Sequence, residues 1–146
     1  MQRIFLDTNV VIDFLGERKP FYESVAKILT LADNKKIKVF TSPTTIATTY
    51  YILNRLESSK IALEKIRKFK LLCDISVMDN EVIDKAIISN FKDFEDALQY
   101  FSAIATNCDL IITRNEKDFK SALIPILNCE SYLQTLTTPN AGTPKG

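Results

Sequence analysis

Four short segments carry side chains that could act together: Asp7 in Phe5-Leu6-Asp7-Thr8-Asn9; Thr44, Thr45 and Thr48 in Thr44-Thr45-Ile46-Ala47-Thr48; Asp93 and Asp96 in Asp93-Phe94-Glu95-Asp96; and Asn115, Glu116 and Asp118 just after Thr113. Carboxylates held close together repel one another unless something neutralises them. Oxygen ligands of this kind suit Mg²⁺ or Mn²⁺. Such an ion can activate water and stabilise charge developing on a phosphodiester. The chain has no histidine, which excludes Ser-His-Asp triads, H-E-x-x-H zinc sites and imidazole bases. Hydrolytic chemistry must therefore rest on carboxylates and a hard cation.

For these segments to meet, the chain must fold so that they share one edge. Arg3-Ile4-Phe5-Leu6-Asp7 reads as a buried strand ending in an acid, followed by a helix from Val10 to Leu15. Lys19-Pro20-Phe21 opens a second helix with Val25, Ile28 and Leu29 at helical spacing. Lys38 to Thr41 reads as a strand, and Ser42-Pro43 caps a helix that carries Ile46, Tyr50 and Leu53 on one face. Ser59 is the expected cap of a helix to Leu71, Asp74 to Met78 a short strand, and Asp79 the cap of a helix to Ile88. Asp93 starts a long helix with Ala97, Tyr100, Phe101, Ile104 and Ala105 facing inward. Asp109 to Thr113 is a buried strand, and Ile124 to Leu127 an edge strand because of Pro125. A helix over Glu130–Leu136 ends the domain, assigned to residues 1–136, and residues 137–146 read as a mobile tail.

Strands alternating with helices imply a three-layer α/β/α sandwich around a mostly parallel sheet of five strands. In such sheets functional groups gather beyond the carboxyl ends of the strands. Asp7, the helix start at Asp93 and Asp96, and the segment after Thr113 all fall at that edge. Asp109, at the opposite edge, is excluded.

Composition narrows the alternatives. At 146 residues, 46% hydrophobic and 25% charged, the chain fits one globular domain. No apolar run reaches membrane-spanning length and an acid comes at position 7, so neither a membrane span nor a signal peptide is expected, and the cytoplasm is the default. Cys73, Cys108 and Cys129 are widely spaced and read as buried thiols. Residues 1–73 hold 13 Lys/Arg against 7 Asp/Glu, whereas residues 74–146 hold 6 against 11. The basic focus at Lys60, Lys65, Arg67 and Lys68 would attract a phosphate backbone or simply form a solvated helix face.

Each acid also has a duller reading. Asp7 could cap the following helix, Asp93 reads as an N-cap, and Asp96 stands where a capping-box acid belongs. Asp118 could only orient a loop, Glu95 is expected to point away from the acidic face, and Asp13 reads as solvated helix surface.

Ile4-Phe5-Leu6-Asp7-Thr8-Asn9-Val10-Val11-Ile12-Asp13 resembles the opening of PIN-domain nucleases, including the VapC-type toxins of toxin–antitoxin pairs. Asp93 to Leu98 resembles that family's third-acid helix, and Thr113 to Phe119 its fourth-acid turn. The resemblance implies a five-stranded parallel sheet between helices, Mg²⁺ or Mn²⁺ binding, and endonucleolytic cleavage of RNA. By position Asp7 matches the first acid and Asp96 the third. The second falls at about Thr48 and the fourth at Asn115, so both are neutral here. A subgroup with this T-T-x-Y-Y-type helix lacks the usual glutamate.

The expectation is a metal-dependent ribonuclease, the toxin of a pair whose antitoxin would cover the acidic rim. Asp7 and Asp96 are the expected catalytic metal ligands, with Asp118, Asn115 and Asp93 beside them and Thr8, Asn9, Thr48 and Thr113 as auxiliaries. Lys60, Lys65, Arg67 and Lys68 would guide RNA, and a homodimer is implied by the resemblance. The competing expectation is a weakly active or inactive module of the same fold that binds RNA or protein.

Overall fold

Ile4, Phe5 and Leu6 have no solvent exposure at all, which requires a strand covered on both faces. The structure, a computed structural model describing residues 1–137, supplies that cover. Five strands lie in the order β3-β2-β1-β4-β5 and every pairing is parallel. They are β1 (Gln2–Leu6), β2 (Ile37–Thr41), β3 (Asp74–Ile75), β4 (Leu110–Ile112) and β5 (Ile126–Leu127). β3 and β5 are shorter than the sequence suggests, and β5 is an edge strand as Pro125 requires.

The alternation of side chains along β1 divides the core. Ile4 and Leu6 join Val39, Leu110 and Ile112 on one face, under α1 (Thr8–Leu15), α2 (Tyr22–Asp33), α3 (Pro43–Leu56), α4 (Ser59–Phe69) and α7 (Cys129–Thr137). Phe5 joins Phe40 and Ile111 on the other, under α6 (Phe94–Ala105), against which α5 (Asn80–Ile87) packs. The first two crossovers step outward from β1 to β2 to β3 along one face. The third returns past β1 to β4 and uses the opposite face, as a constant hand of crossover demands. The result is the expected three-layer sandwich.

Local signals account for most helix starts. Ser42 accepts from Thr45 N–H ahead of Pro43, and Asp79 accepts from Val82 N–H. The cap of α4 is Ser58 rather than Ser59, its hydroxyl accepting from Ile61 N–H at 3.2 Å. Thr137 belongs to α7; the rest of the expected tail, residues 138–146, lies outside the described residues.

Asp13 departs from expectation most. It is 1% exposed, not solvated. Arg114 Nε donates to Asp13 Oδ2 at 2.7 Å and Nη2 to Oδ1 at 3.2 Å. Arg18 stands 3.7 Å away, and the Arg114 guanidinium lies 4.1 Å from the centroid of Phe21. The pair ties α1 to the chain leaving β4, bringing together the two segments that flank the β1–β4 crevice. Replacing Arg114 by Ala strands a buried carboxylate with only Arg18 nearby. Because Arg114 is itself about one-third exposed, the expected loss is about 2 kcal/mol of unfolding free energy, read as a lower urea midpoint; an unchanged midpoint would show that the pair is dispensable.

Candidate functional site

The strand order reverses between β1 and β4, and the carboxyl ends of these neighbours open a crevice there. Asp7 follows β1 and Thr113 follows β4. Asp7 N–H continues the ladder by donating to Ile112 O at 2.9 Å, which fixes the backbone from which the carboxylate projects. The side chain is 5% exposed. Oδ1 accepts from Thr8 N–H (2.9 Å) and from Gln99 Nε2 (3.0 Å), while Oδ2 accepts from Thr113 Oγ1 (2.8 Å). The capping reading is thus correct, since Asp7 is the N-cap of α1. It does not exhaust the residue, because donors from α6 and β4 converge on the same carboxylate.

Gln99 is the residue that sequence reasoning missed. It is 1% exposed, and its Oε1 accepts a short hydrogen bond from Ser42 Oγ. Its Nε2 lies 2.8 Å from Thr45 Oγ1 and 3.2 Å from Thr8 Oγ1, besides its bond to Asp7. Only the amide nitrogen can donate to a carboxylate, so the orientation of the amide is fixed by chemistry. Thr8 and Thr45 hydroxyls complete the ring at 2.8 Å. The available signal was spacing: Gln99 lies three residues after Asp96, on the same side of α6.

Asp96 is half-buried and, with Asp7, Thr8, Asn9, Glu95, Gln99 and Asn115, helps line a cleft of about 280 Å³. Burial pushes its carboxyl up from an ordinary 3.8 to about 7, and the charges of Asp7, Asp93, Asp118 and Glu95 add to the rise. Glu95 is exposed as expected but lines this cleft rather than pointing away. The reciprocal capping-box bond from Asp96 to the N–H of Asp93 is not made, which leaves the Asp96 carboxylate to the cleft.

The other sequence candidates distribute around this pair. Asp93 caps α6, accepting from Glu95 N–H at 2.8 Å and Asp96 N–H at 3.2 Å. Asp118 lies in a single 3-10 turn (Glu116–Phe119), and both line a neighbouring cavity with Asp96 rather than the Asp7 cleft. Asn115 is exposed at the cleft mouth, its N–H donating to Thr113 Oγ1 at 3.0 Å. Asn9 Oδ1 accepts from Arg114 N–H at 3.4 Å. Thr48 stands on the row of α3 that joins Thr45 to the cleft-lining Ile52, its hydroxyl without a hydrogen-bond partner among the described residues. On α4, Lys65 Nζ donates to Leu15 O at 3.0 Å and to Glu57 at 3.2 Å, and Arg67 is bonded to Glu64. Lys65 is therefore at the end of α1 remote from Asp7, and none of the four α4 cations lines the cleft.

Among the described residues no three Asp, Glu or Cys side chains form a ready-made metal cage. Yet neither Asp7 nor Asp96 has a Lys or Arg at ion-pair distance among those residues. Arg18 also lines the cleft but is paired with Asp13, and two carboxylates without an ion pair, among further oxygen donors, suit a hard cation with part of its shell left to water.

A model of the PIN domain matches residues 3–117. The chain belongs to the PIN-domain family. It is 31% identical over 142 residues to Ribonuclease VapC1 of Aquifex aeolicus (strain VF5), covering 94% of this chain and 97% of that one. Among solved structures it resembles VapBC2 from Rickettsia felis bound to a promoter DNA fragment, with a TM-score of 0.63 and 21% identity over 87% of this chain and 98% of that one. It also resembles the sarcin-ricin loop cleaving toxin VapC20 of Mycobacterium tuberculosis, with a TM-score of 0.58 and 16% identity over 74% and 86% of the two chains. These structural likenesses establish the fold alone. Within this PIN domain, no described helix is long and apolar enough to cross a membrane.

Asp96 gives the site a pH signature. The folded protein holds this proton up to about pH 7, whereas the unfolded chain releases it near 3.8. The contribution of Asp96 to stability therefore falls as pH rises from about 4 to about 7 and levels off above. Asp96→Asn should accordingly gain thermal stability over wild type at pH 7.5 relative to pH 4.5 in cation-free buffer. Parallel wild-type and variant profiles would contradict the assignment.

Proposed function

We propose that this PIN-domain protein is a metal-dependent endoribonuclease of the toxin class, with Asp7 and Asp96 holding one Mg²⁺ or Mn²⁺ ion. The observation that carries this reading is the pair of carboxylates at the β1–β4 crevice, Asp7 and Asp96, that make no ion pair among the described residues. The relative called Ribonuclease VapC1, similar over nearly the whole chain, supports the ribonuclease reading, and the likeness to a structure described as an RNA-loop-cleaving toxin agrees with it.

When bound, the ion would supply positive charge to a phosphodiester oxygen and an acidified water as nucleophile. The chain's own residues prepare for it. Gln99, Thr8 and Thr113 hold the Asp7 carboxylate in one orientation, so no reorganisation is needed as charge develops. Burial and the neighbouring carboxylates hold the Asp96 carboxyl up in the absence of a cation, so Asp96 would release that proton as an ion binds and stay ionised as its ligand. Asn115 offers an uncharged oxygen or N–H at the mouth, and Asp118 and Asp93 stand as auxiliaries beyond Asp96.

The partners in this reading are RNA, an antitoxin protein covering the cleft, and a second copy of the chain, for which Tyr51, 65% exposed on α3, offers apolar surface. A second reading, a weakly active binding module, draws on the neutral Thr48 and Asn115. Incubating the protein with single-stranded RNA and Mn²⁺ separates the two. Wild type should cleave, with Asp7→Asn and Asp96→Asn each slower by about a hundredfold or more. Undiminished cleavage by Asp7→Asn would refute the mechanism, and saturable RNA binding without cleavage by wild type would favour the second reading.

A further inference from the structure

Asp96 is a wall shared by two hollows. One is the Asp7 cleft; the other, about 310 Å³, lies on its far side and is lined by Phe91, Lys92, Asp93, Lys117, Asp118 and Lys120, among others. Lys92 comes from the connection between α5 and α6, whereas Lys117 and Lys120 come from the 3-10 turn after β4 and its exit. Three cations from two distant stretches of chain thus surround one hollow. All three are exposed, and none forms an ion pair among the described residues.

Three acids, Asp93, Asp96 and Asp118, share the hollow with the three lysines. The Asp93 carboxylate is turned back onto the N–H groups of Glu95 and Asp96. The charge of Asp96 belongs to the cation site of the proposed function. Asp118 is exposed and makes no ion pair among the described residues. The apolar side is Phe91, whose ring centroid lies 5.2 Å from that of Tyr100 and 6.1 Å from those of Phe101 and Phe119. Packing on three rings holds this surface rigid, which suits a base laid against it.

We propose that this hollow is a nucleotide subsite for single-stranded RNA, with Lys92, Lys117 and Lys120 taking the phosphate next to the one at Asp7 and Asp96, and Phe91 facing its base. The inference rests on the nuclease reading and specifies how that site grips its substrate. It moves the principal phosphate contact away from α4, where Lys65 and Arg67 are consumed by Glu57, Glu17 and Glu64 and the helix meets the remote end of α1. Lysines here would hold the strand through the backbone, with no choice of sequence, while the shared Asp96 wall sets the register between the gripped phosphate and the reacting one.

The test measures binding apart from cleavage. In an Asp96→Asn background, a fluorescent single-stranded oligoribonucleotide is titrated by anisotropy with three proteins at several salt concentrations. These are the background itself, the same chain with Lys92→Ala, Lys117→Ala and Lys120→Ala, and a control with Lys27→Ala and Lys36→Ala, exposed lysines on α2 and just after it. The triple substitution should weaken binding about tenfold or more and flatten the salt dependence by roughly 0.7 in the log–log slope, the share of the one phosphate no longer neutralised. The control should shift Kd by no more than about twofold. All the substituted lysines are exposed, so the three proteins, which share the Asp96→Asn background, should have matching circular dichroism spectra and melting temperatures. Equal loss in triple variant and control, or no loss in either, overturns the subsite while leaving the Asp7 and Asp96 cleavage result to judge the nuclease reading. Absence of RNA binding by the background protein, together with absence of cleavage by wild type, would overturn both.

Discussion

The fold places a carboxylate where burial is costly, at the end of its central strand, and surrounds it with donors. A buried ionised acid is tolerable only when its oxygens are satisfied. For Asp7 the donors come from the first residue of α1, the middle of α6 and the end of β4. These segments are far apart in sequence and lie on both faces of the sheet. They can meet only at the β1–β4 crevice, where the strand order reverses. Bringing them there is what the parallel topology, the return crossover and the Asp13–Arg114 clamp together achieve. The same convergence sets Asp96 beside Asp7 without a compensating cation from the described residues.

Gln99 sets an uncharged side chain between Asp7 and α3. An amide donates where a carboxylate could not, so it can sit against Asp7 without repulsion. Its carbonyl is held by Ser42, and its nitrogen also reaches Thr45. The wall of the site toward α3 is consequently neutral, and the negative charge collects on α6 and the turn after β4. Asp96 carries the strong rise in pKa because it is half-buried there, with the charges of Asp7, Asp93, Asp118 and Glu95 adding to the effect of burial.

The strands, their order of appearance and the helix starts at Ser42, Asp79 and Asp93 were legible because apolar runs and capping residues are local signals. Asp7 was legible because an acid closing an apolar run has few structural excuses. The inner faces of α3 and α6 were legible in part: Leu53, Ala97 and Tyr100 are buried as expected. Periodicity of apolar residues favoured Ile46 and Tyr50 on α3, and Phe101, Ile104 and Ala105 on α6. The fully buried rows also include Thr45 and Thr49 on α3, and Gln99 and Ser102 on α6, with Thr106 nearly buried at its C-cap. Each of these except Thr49 is hydrogen-bonded across to another element or along its helix. A polar residue at a buried position looks like surface until its partner is known, and the partners lie 26 to 92 residues away. Asp13 was misread for the same reason, since Arg114, its partner, is 101 residues distant.

The central claim is that this preorganised pair of carboxylates binds a divalent cation. Calorimetric titration of the protein with Mn²⁺ near pH 7 tests it without reference to any substrate. Wild type should show saturable binding at one site, abolished by Asp7→Asn and weakened by Gln99→Leu, which removes the donor and leaves the carboxylate in place. Absence of saturable binding, or equal binding by wild type and Asp7→Asn, would contradict it.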